Sequence, residues 1–140
     1  MIVLDTNVLS ELAKAVPDRA VMAWANSQFA DELYATAISE AEMLFGIDLL
    51  PRGRRRAELE RAVHDVFARL LKGRVLPFDR AAAEAYAMLA SARRQRGRPI
   101  GTPDLQIASI AHARKASFIV TRNTADFADG GTQLINPWKT

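Results

Sequence analysis

The chain contains no cysteine, which excludes a disulfide scaffold, a thiolate zinc site and a thiol nucleophile. No stretch approaches the ~18 apolar residues of a membrane-spanning helix. The start, Met1-Ile2-Val3-Leu4-Asp5, lacks the basic region of a secretory signal. Neither Gly97 to Gly101 nor Gly130-Gly131 follows a strand in the way a phosphate-cradling loop requires. The only two histidines are His64 and His112, and nothing in their spacing brings them together as an acid–base pair. Repeats, low-complexity tracts and linkers are also missing. What remains is 140 residues, 49% hydrophobic and 25% charged, the balance of one soluble globular domain. A chain of this length buries enough surface to fold unaided. The expectation is a single domain over residues 1–140, cytoplasmic and with no membrane partner.

Lysine is scarce. Lys14, Lys72, Lys115 and Lys139 are the only four among 19 basic residues, the rest being arginine, against 16 acids for a net charge of +3. The arginines bunch at Arg52, Arg54, Arg55 and Arg56 and again at Arg93, Arg94, Arg96 and Arg98. Such clusters are either a phosphate-binding footprint or a solvated loop and helix end. No aromatic residue is interleaved with them, so contact with nucleic acid would be with its backbone.

Short apolar runs alternate with helical periodicity. Ile2-Val3-Leu4, Leu33-Tyr34-Ala35-Thr36, Val75-Leu76-Pro77-Phe78, Phe118-Ile119-Val120-Thr121 and Leu134-Ile135 read as strands. Pro77 marks the third as an edge. Helices are expected after Asp5 and Pro17-Asp18, from Ser39 to about Leu50, from Arg54 to Leu71, from Asp79 towards Gln95, and from Thr102-Pro103. Strands alternating with helices make an α/β fold, its mainly parallel sheet covered on both faces.

Chemistry in such a sheet gathers beyond the carboxyl ends of the strands. Four polar segments belong there: Asp5-Thr6-Asn7, Ser39-Glu40-Ala41-Glu42, Thr102-Pro103-Asp104, and Thr121-Arg122-Asn123-Thr124-Ala125-Asp126. Each has a plain local reading. Asp5 or Thr6 could cap a helix, Ser39-x-x-Glu42 fits a capping box, Asp104 complements a helix dipole behind Pro103, and Asp126 suits a turn. Were the carboxylates to converge, they would repel strongly unless a cation sat among them. Their hard oxygens suit Mg²⁺ or Mn²⁺.

The order of these segments carries a resemblance. Leu4-Asp5-Thr6-Asn7-Val8-Leu9-Ser10, Ala41-Glu42-Met43-Leu44-Phe45-Gly46-Ile47, Pro103-Asp104-Leu105-Gln106-Ile107-Ala108 and Ile119-Val120-Thr121-Arg122-Asn123 together resemble the PIN-domain family. Within it they resemble the VapC-type toxins of bacterial toxin–antitoxin pairs. Leu76-Pro77-Phe78-Asp79 and Asn136-Pro137-Trp138 resemble the FitB-like branch. The resemblance implies an α/β/α sandwich of about five strands in the order 3-2-1-4-5. It also implies a metal-dependent endoribonuclease using Mg²⁺ or Mn²⁺. Asp5, Glu42 and Asp104 match the leading acidic positions, Asp5 and Asp104 as direct metal ligands and Glu42 binding metal through water or helping to orient the attacking water. The fourth acidic position falls at Asn123, an uncharged amide, and Asp126 three residues later is the candidate to replace it. Thr6, Asn7 and Thr121 are expected to fix the carboxylates. Arg122 would neutralise a substrate phosphate, or else pair with Glu42 or Asp126. Glu40 should point to another side of its helix.

The implied partners are an RNA substrate, a DNA-binding antitoxin of VapB or FitA type, and a second copy of the chain. Pairing would use an apolar stripe of Leu44, Phe45, Leu49, Leu59 and Val63, giving a heterotetramer or larger assembly with antitoxin. The alternative is a weakly active co-repressor subunit that supports DNA binding by its partner, a reading to which Asn123 lends weight. An aspartyl-nucleophile phosphatase would need an acid at Asn7 and a later catalytic lysine, and neither is evident.

Overall fold

A computed structural model describes residues 1–98 and 101–139. Five strands, β1 (Ile2–Leu4), β2 (Leu33–Thr36), β3 (Val75–Leu76), β4 (Phe118–Val120) and β5 (Gln133–Ile135), form one sheet in the order β3-β2-β1-β4-β5. Every pairing is parallel. The expected order therefore holds, and β3 is an edge.

Side-chain alternation divides the core into two layers. On one face Ile2, Leu4, Leu33, Ala35 and Val120 pack with α1 (Thr6–Leu12), α2 (Arg19–Asn26), α3 (Ala37–Asp48) and α4 (Arg54–Asp65). On the other, Val3 and Ile119 pack with α5 (Arg80–Gln95), α6 (Thr102–Ala113) and Phe127 of α7 (Thr124–Phe127). Val3, Leu4, Ile107 and Val120 have no exposed surface, as strands covered on both sides require. The molecule is the expected α/β/α sandwich.

Local chemistry sets most element boundaries. Asp18 caps α2 by accepting from the amides of Ala20 and Val21, and Asp79 caps α5 through Ala82. Two boundaries differ from expectation. The helix from Arg54 changes to a π turn over Val66–Leu70, ending where Gly73 takes a positive φ of 77°. The third helix starts at Ala37, capped by Thr36, whose hydroxyl accepts from the Ser39 amide at 3.1 Å. Ser39 is therefore no cap.

β1 has β2 on one side and β4 on the other, although β4 comes more than a hundred residues later. The chain winds outward from β1 in both directions, and the crevice at the carboxyl ends of β1 and β4 is the natural ligand site.

Candidate functional site

Asp5 sits where β1 gives way to α1, and its amide donates to Val120 O at 2.9 Å, tying it to the end of β4. Its carboxylate is almost fully buried, with 3% of the residue exposed. Both oxygens have donors: Oδ1 accepts from the Thr6 amide at 2.8 Å, and Oδ2 from the Thr121 hydroxyl at 2.7 Å. Thr121 in turn accepts from the Asn123 amide at 3.0 Å. These bonds hold the negative form of Asp5. Burial outweighs them, and together with the charges of Glu42 and Asp126 it raises the carboxyl above its ordinary pKa.

A second chain of hydroxyls fixes Glu42. Thr6 Oγ1 donates to Glu42 Oε1 at 2.8 Å and lies 2.8 Å from Ser39 Oγ. A hydroxyl has one proton, and that of Thr6 is committed to the carboxylate, so Ser39 donates to Thr6. Thr6 of α1 thus links Ser39 and Glu42 of α3, and these two do not close a capping box. Ser39 is fully buried, and its part in the site is one the sequence reading missed. The available signal was Thr36, a good cap one turn earlier that frees Ser39. Glu40 faces away, into a different groove from the one Glu42 lines.

Asp104 stands in the first turn of α6, behind Pro103. Its carboxyl is pushed up to about 6, first by burial and then by the charges of Asp5, Asp126 and Glu42. Four acids from distant segments are thus brought within electrostatic reach of one another, and Asp126 joins the set from the first turn of α7. Asn123 contributes its backbone amide to the Thr121 chain, and its side chain caps nothing.

Two expectations need correction. Asn7 does not brace a carboxylate: its Oδ1 accepts from the Arg122 amide at 3.4 Å. Arg122 pairs with neither Glu42 nor Asp126, and its guanidinium lies over the Trp138 ring, 4.9 Å from the centroid. The arginine clusters also have internal partners. Arg93, Arg96 and Arg98 converge on Asp129 at 3.6–3.9 Å, Arg54 pairs with Glu58, and Arg56 with Asp48 and Glu60. Much of the apparent basic footprint is spent on the protein's own acids.

The donor set fits a hard dication in charge, because clustered carboxylates with raised pKa values relax when positive charge enters. Among the described residues no group of three or more His, Asp or Glu is arranged to hold a metal ion. Mg²⁺ and Mn²⁺ do not need such a cage, since Mg²⁺ in particular keeps several waters and takes one or two carboxylates. From Thr6 and Glu42 an open groove of about 920 Å³ runs between the helices of this face, past Leu12, Met22, Met43 and Leu59. No described helix is long and apolar enough to cross a membrane.

Comparison with known proteins agrees with this fold. The chain is 45% identical over 139 residues to VapC ribonuclease Y4jK of Sinorhizobium fredii, covering 99% of each chain. It is 35% identical over 138 residues to Toxin FitB of Neisseria gonorrhoeae, again covering 99% of each. A solved structure of FitAB bound to an IR36 DNA fragment superposes with a TM-score of 0.89 at 36% identity, covering 99% of this chain and 96% of that one. The family model for the PIN domain matches residues 2–131. The chain therefore belongs to the PIN domain family, in the VapC-type, FitB-like branch that these relatives represent.

Proposed function

We propose that the protein is the endoribonuclease toxin of a toxin–antitoxin pair, a single PIN domain that hydrolyses RNA phosphodiester bonds with Mg²⁺ or Mn²⁺. The observation that carries this reading is the convergence of Asp5, Glu42, Asp104 and Asp126, with Asp104 raised to about 6 by burial and its acidic neighbours. Asp5 and Asp104 would hold the ion directly, and Glu42 would reach it through water. When bound, the ion would polarise a phosphoryl oxygen and lower the pKa of a water.

The chain's own residues do the rest. Thr121 and the Thr6 amide hold Asp5 in place and favour its charged form against the burial that opposes it. Ser39 and Thr6 turn Glu42 towards the cleft, where it orients the attacking water. Asp126 supplies the negative charge that Asn123 lacks, and Arg122 faces a substrate phosphate. The relatives' names, a ribonuclease and a toxin, support this assignment.

The antitoxin's place is the groove beginning at Thr6 and Glu42. An amphipathic segment laid there could extend an arginine into the acidic cleft. The relative's DNA-bound complex and Asn123 favour one second reading, a co-repressor subunit with weak catalysis.

The test is cleavage of total cellular RNA by the partner-free protein in Mg²⁺ or Mn²⁺, in chelator, and with Asp104→Asn. Discrete fragments that require metal and vanish in the variant are expected. A folded protein that cuts nothing in either metal would favour the co-repressor.

A further inference from the structure

We propose that Trp138, Asn7 and Asn136 form a socket that presents Arg122 to a phosphate of the single-stranded RNA beside the scissile bond, making Trp138 a positioning residue for substrate. The inference rests on the ribonuclease reading of the acidic cleft and adds to it a determinant of substrate binding.

Arg122 follows directly on Thr121, the residue that holds Asp5, so its backbone is anchored at the cleft. Its amide donates to Asn7 Oδ1 at 3.4 Å, and its carbonyl accepts from Asn136 Nδ2 at 3.5 Å. Asn136 Oδ1 also accepts from the Trp138 amide at 3.0 Å, bending the terminal turn back towards the site. Trp138 is partly buried against the core that includes α2, so its ring is a fixed surface. The Arg122 guanidinium rests over that ring at 4.9 Å, within the range of a cation–π contact.

A guanidinium held by its face keeps its edge donors free, and the edge is what matches two phosphate oxygens. Arg122 is exposed, and its side chain takes no part in any hydrogen bond or ion pair among the described residues. Arg74, by contrast, lies near the Tyr34 ring but spends its donors on three backbone carbonyls. Arg122 is therefore stacked and still unspent, one residue on from the Thr121 that holds Asp5. A free arginine would lose rotamer entropy on gripping a phosphate, and the indole removes part of that cost in advance. The socket joins residues near both ends of the chain, and the terminal turn that carries Trp138 packs against α2.

The experiment compares wild type with Arg122→Gln, Trp138→Leu, Trp138→Phe and the Arg122→Gln/Trp138→Leu double variant. Binding of a fluorescein-labelled pool of random 20-nucleotide RNA is measured in chelator across a salt series, and cleavage of total RNA is followed in Mn²⁺. Trp138→Leu and Arg122→Gln should each weaken RNA binding about tenfold. Each should also lower the slope of log Kd against log salt by about 0.7, the share of one single-strand phosphate. The double variant should be no worse than Arg122→Gln alone, and Trp138→Phe should restore binding to within about threefold. Cleavage at subsaturating RNA should fall by about the same factor as binding.

Additive losses in the double variant would overturn the proposal, as would an unchanged salt slope or a lost rate with unchanged binding. If Trp138→Leu does not fold, Trp138→Phe and Arg122→Gln carry the same slope test. Binding in chelator separates the two readings. A wild type that binds RNA with the predicted variant pattern but cuts none sinks the nuclease reading alone, and one that binds no RNA sinks this inference.

Discussion

At the scale of single residues, the site is set by who donates to whom. Thr121 is the clearest case, because a buried carboxylate kept by two donors loses half its support when the hydroxyl goes. Thr121→Val should cost about 1.5–3 kcal/mol and at least tenfold in RNA cleavage, while Thr121→Ser should stay within about threefold. Urea unfolding and single-turnover cleavage check both.

Asp104 gives a pH dependence of defined sign. Its folded-state pKa, about 6, lies above its ordinary 3.8, so between those values the native state holds the proton that the unfolded state has lost. Stability of the metal-free protein therefore falls as pH rises through that window and levels off above about 6. Solvent screening at a half-buried carboxyl reduces the full shift to about 1 kcal/mol. Asp104→Asn should remove this slope, making the metal-free protein more stable than wild type at neutral pH while abolishing cleavage. A variant that follows the wild-type slope in urea titrations at about pH 4.5 and 7.5 would contradict the assignment. Asn7 illustrates what a sequence cannot show at this scale. A polar residue two positions from an acid suggests support for that acid, yet the direction of its amide is decided by a β4 neighbour more than a hundred residues away.

At the scale of elements, most of the architecture was legible because caps and breakers are local. Asp18, Asp79, Pro51 and Thr102-Pro103 mark helix limits by chemistry that acts within a turn. The start of α3 was not, since Ser39 and Glu42 satisfy a capping motif and a tertiary hydrogen-bond chain with the same side chains. The π turn at Val66 was hidden because five positions are too few for its period to stand out from that of the α-helix before it. The arginine clusters were ambiguous for a different reason, that their acidic partners lie on other elements.

Arg93 is the main example. It is buried, its Nε donates to Arg98 O at 2.7 Å, and it faces Asp129 at 3.8 Å. It thereby joins the end of α5 to the turn after α7, which carries Asp126. Arg93→Met should destabilise the fold by about 2 kcal/mol, less than the usual loss of a buried pair because Arg96 and Arg98 still face Asp129. Hydrogen exchange should show the loss of protection concentrated in α7 and the end of α5. Uniform loss across the sheet would contradict this.

At the scale of the whole molecule, two surfaces remain to be covered. One is the long groove assigned to the antitoxin. The other lies on α3 and its C-cap, where Leu44, Phe45 and Leu49 are 52%, 63% and 68% exposed. The apolar stripe expected there is narrower than the sequence suggested, because Val63 belongs to the core and Leu59 is partly buried against it. The exposed trio still suits self-association. Sedimentation at micromolar concentration should show a dimer that Phe45→Lys/Leu49→Lys converts to a monomer, and a monomeric wild type would remove the dimer from the account.

The central claim is that four carboxylates, spread from residue 5 to residue 126, act as one cation site. Its most direct test is Mn²⁺ titration followed by electron paramagnetic resonance, on wild type and on Asp5→Asn, Glu42→Gln, Asp104→Asn and Asp126→Asn. The account predicts saturable binding that Asp5→Asn and Asp104→Asn each weaken at least tenfold, with smaller losses for Glu42→Gln and Asp126→Asn. Mn²⁺ binding that is absent from wild type, or indifferent to all four substitutions, would contradict it.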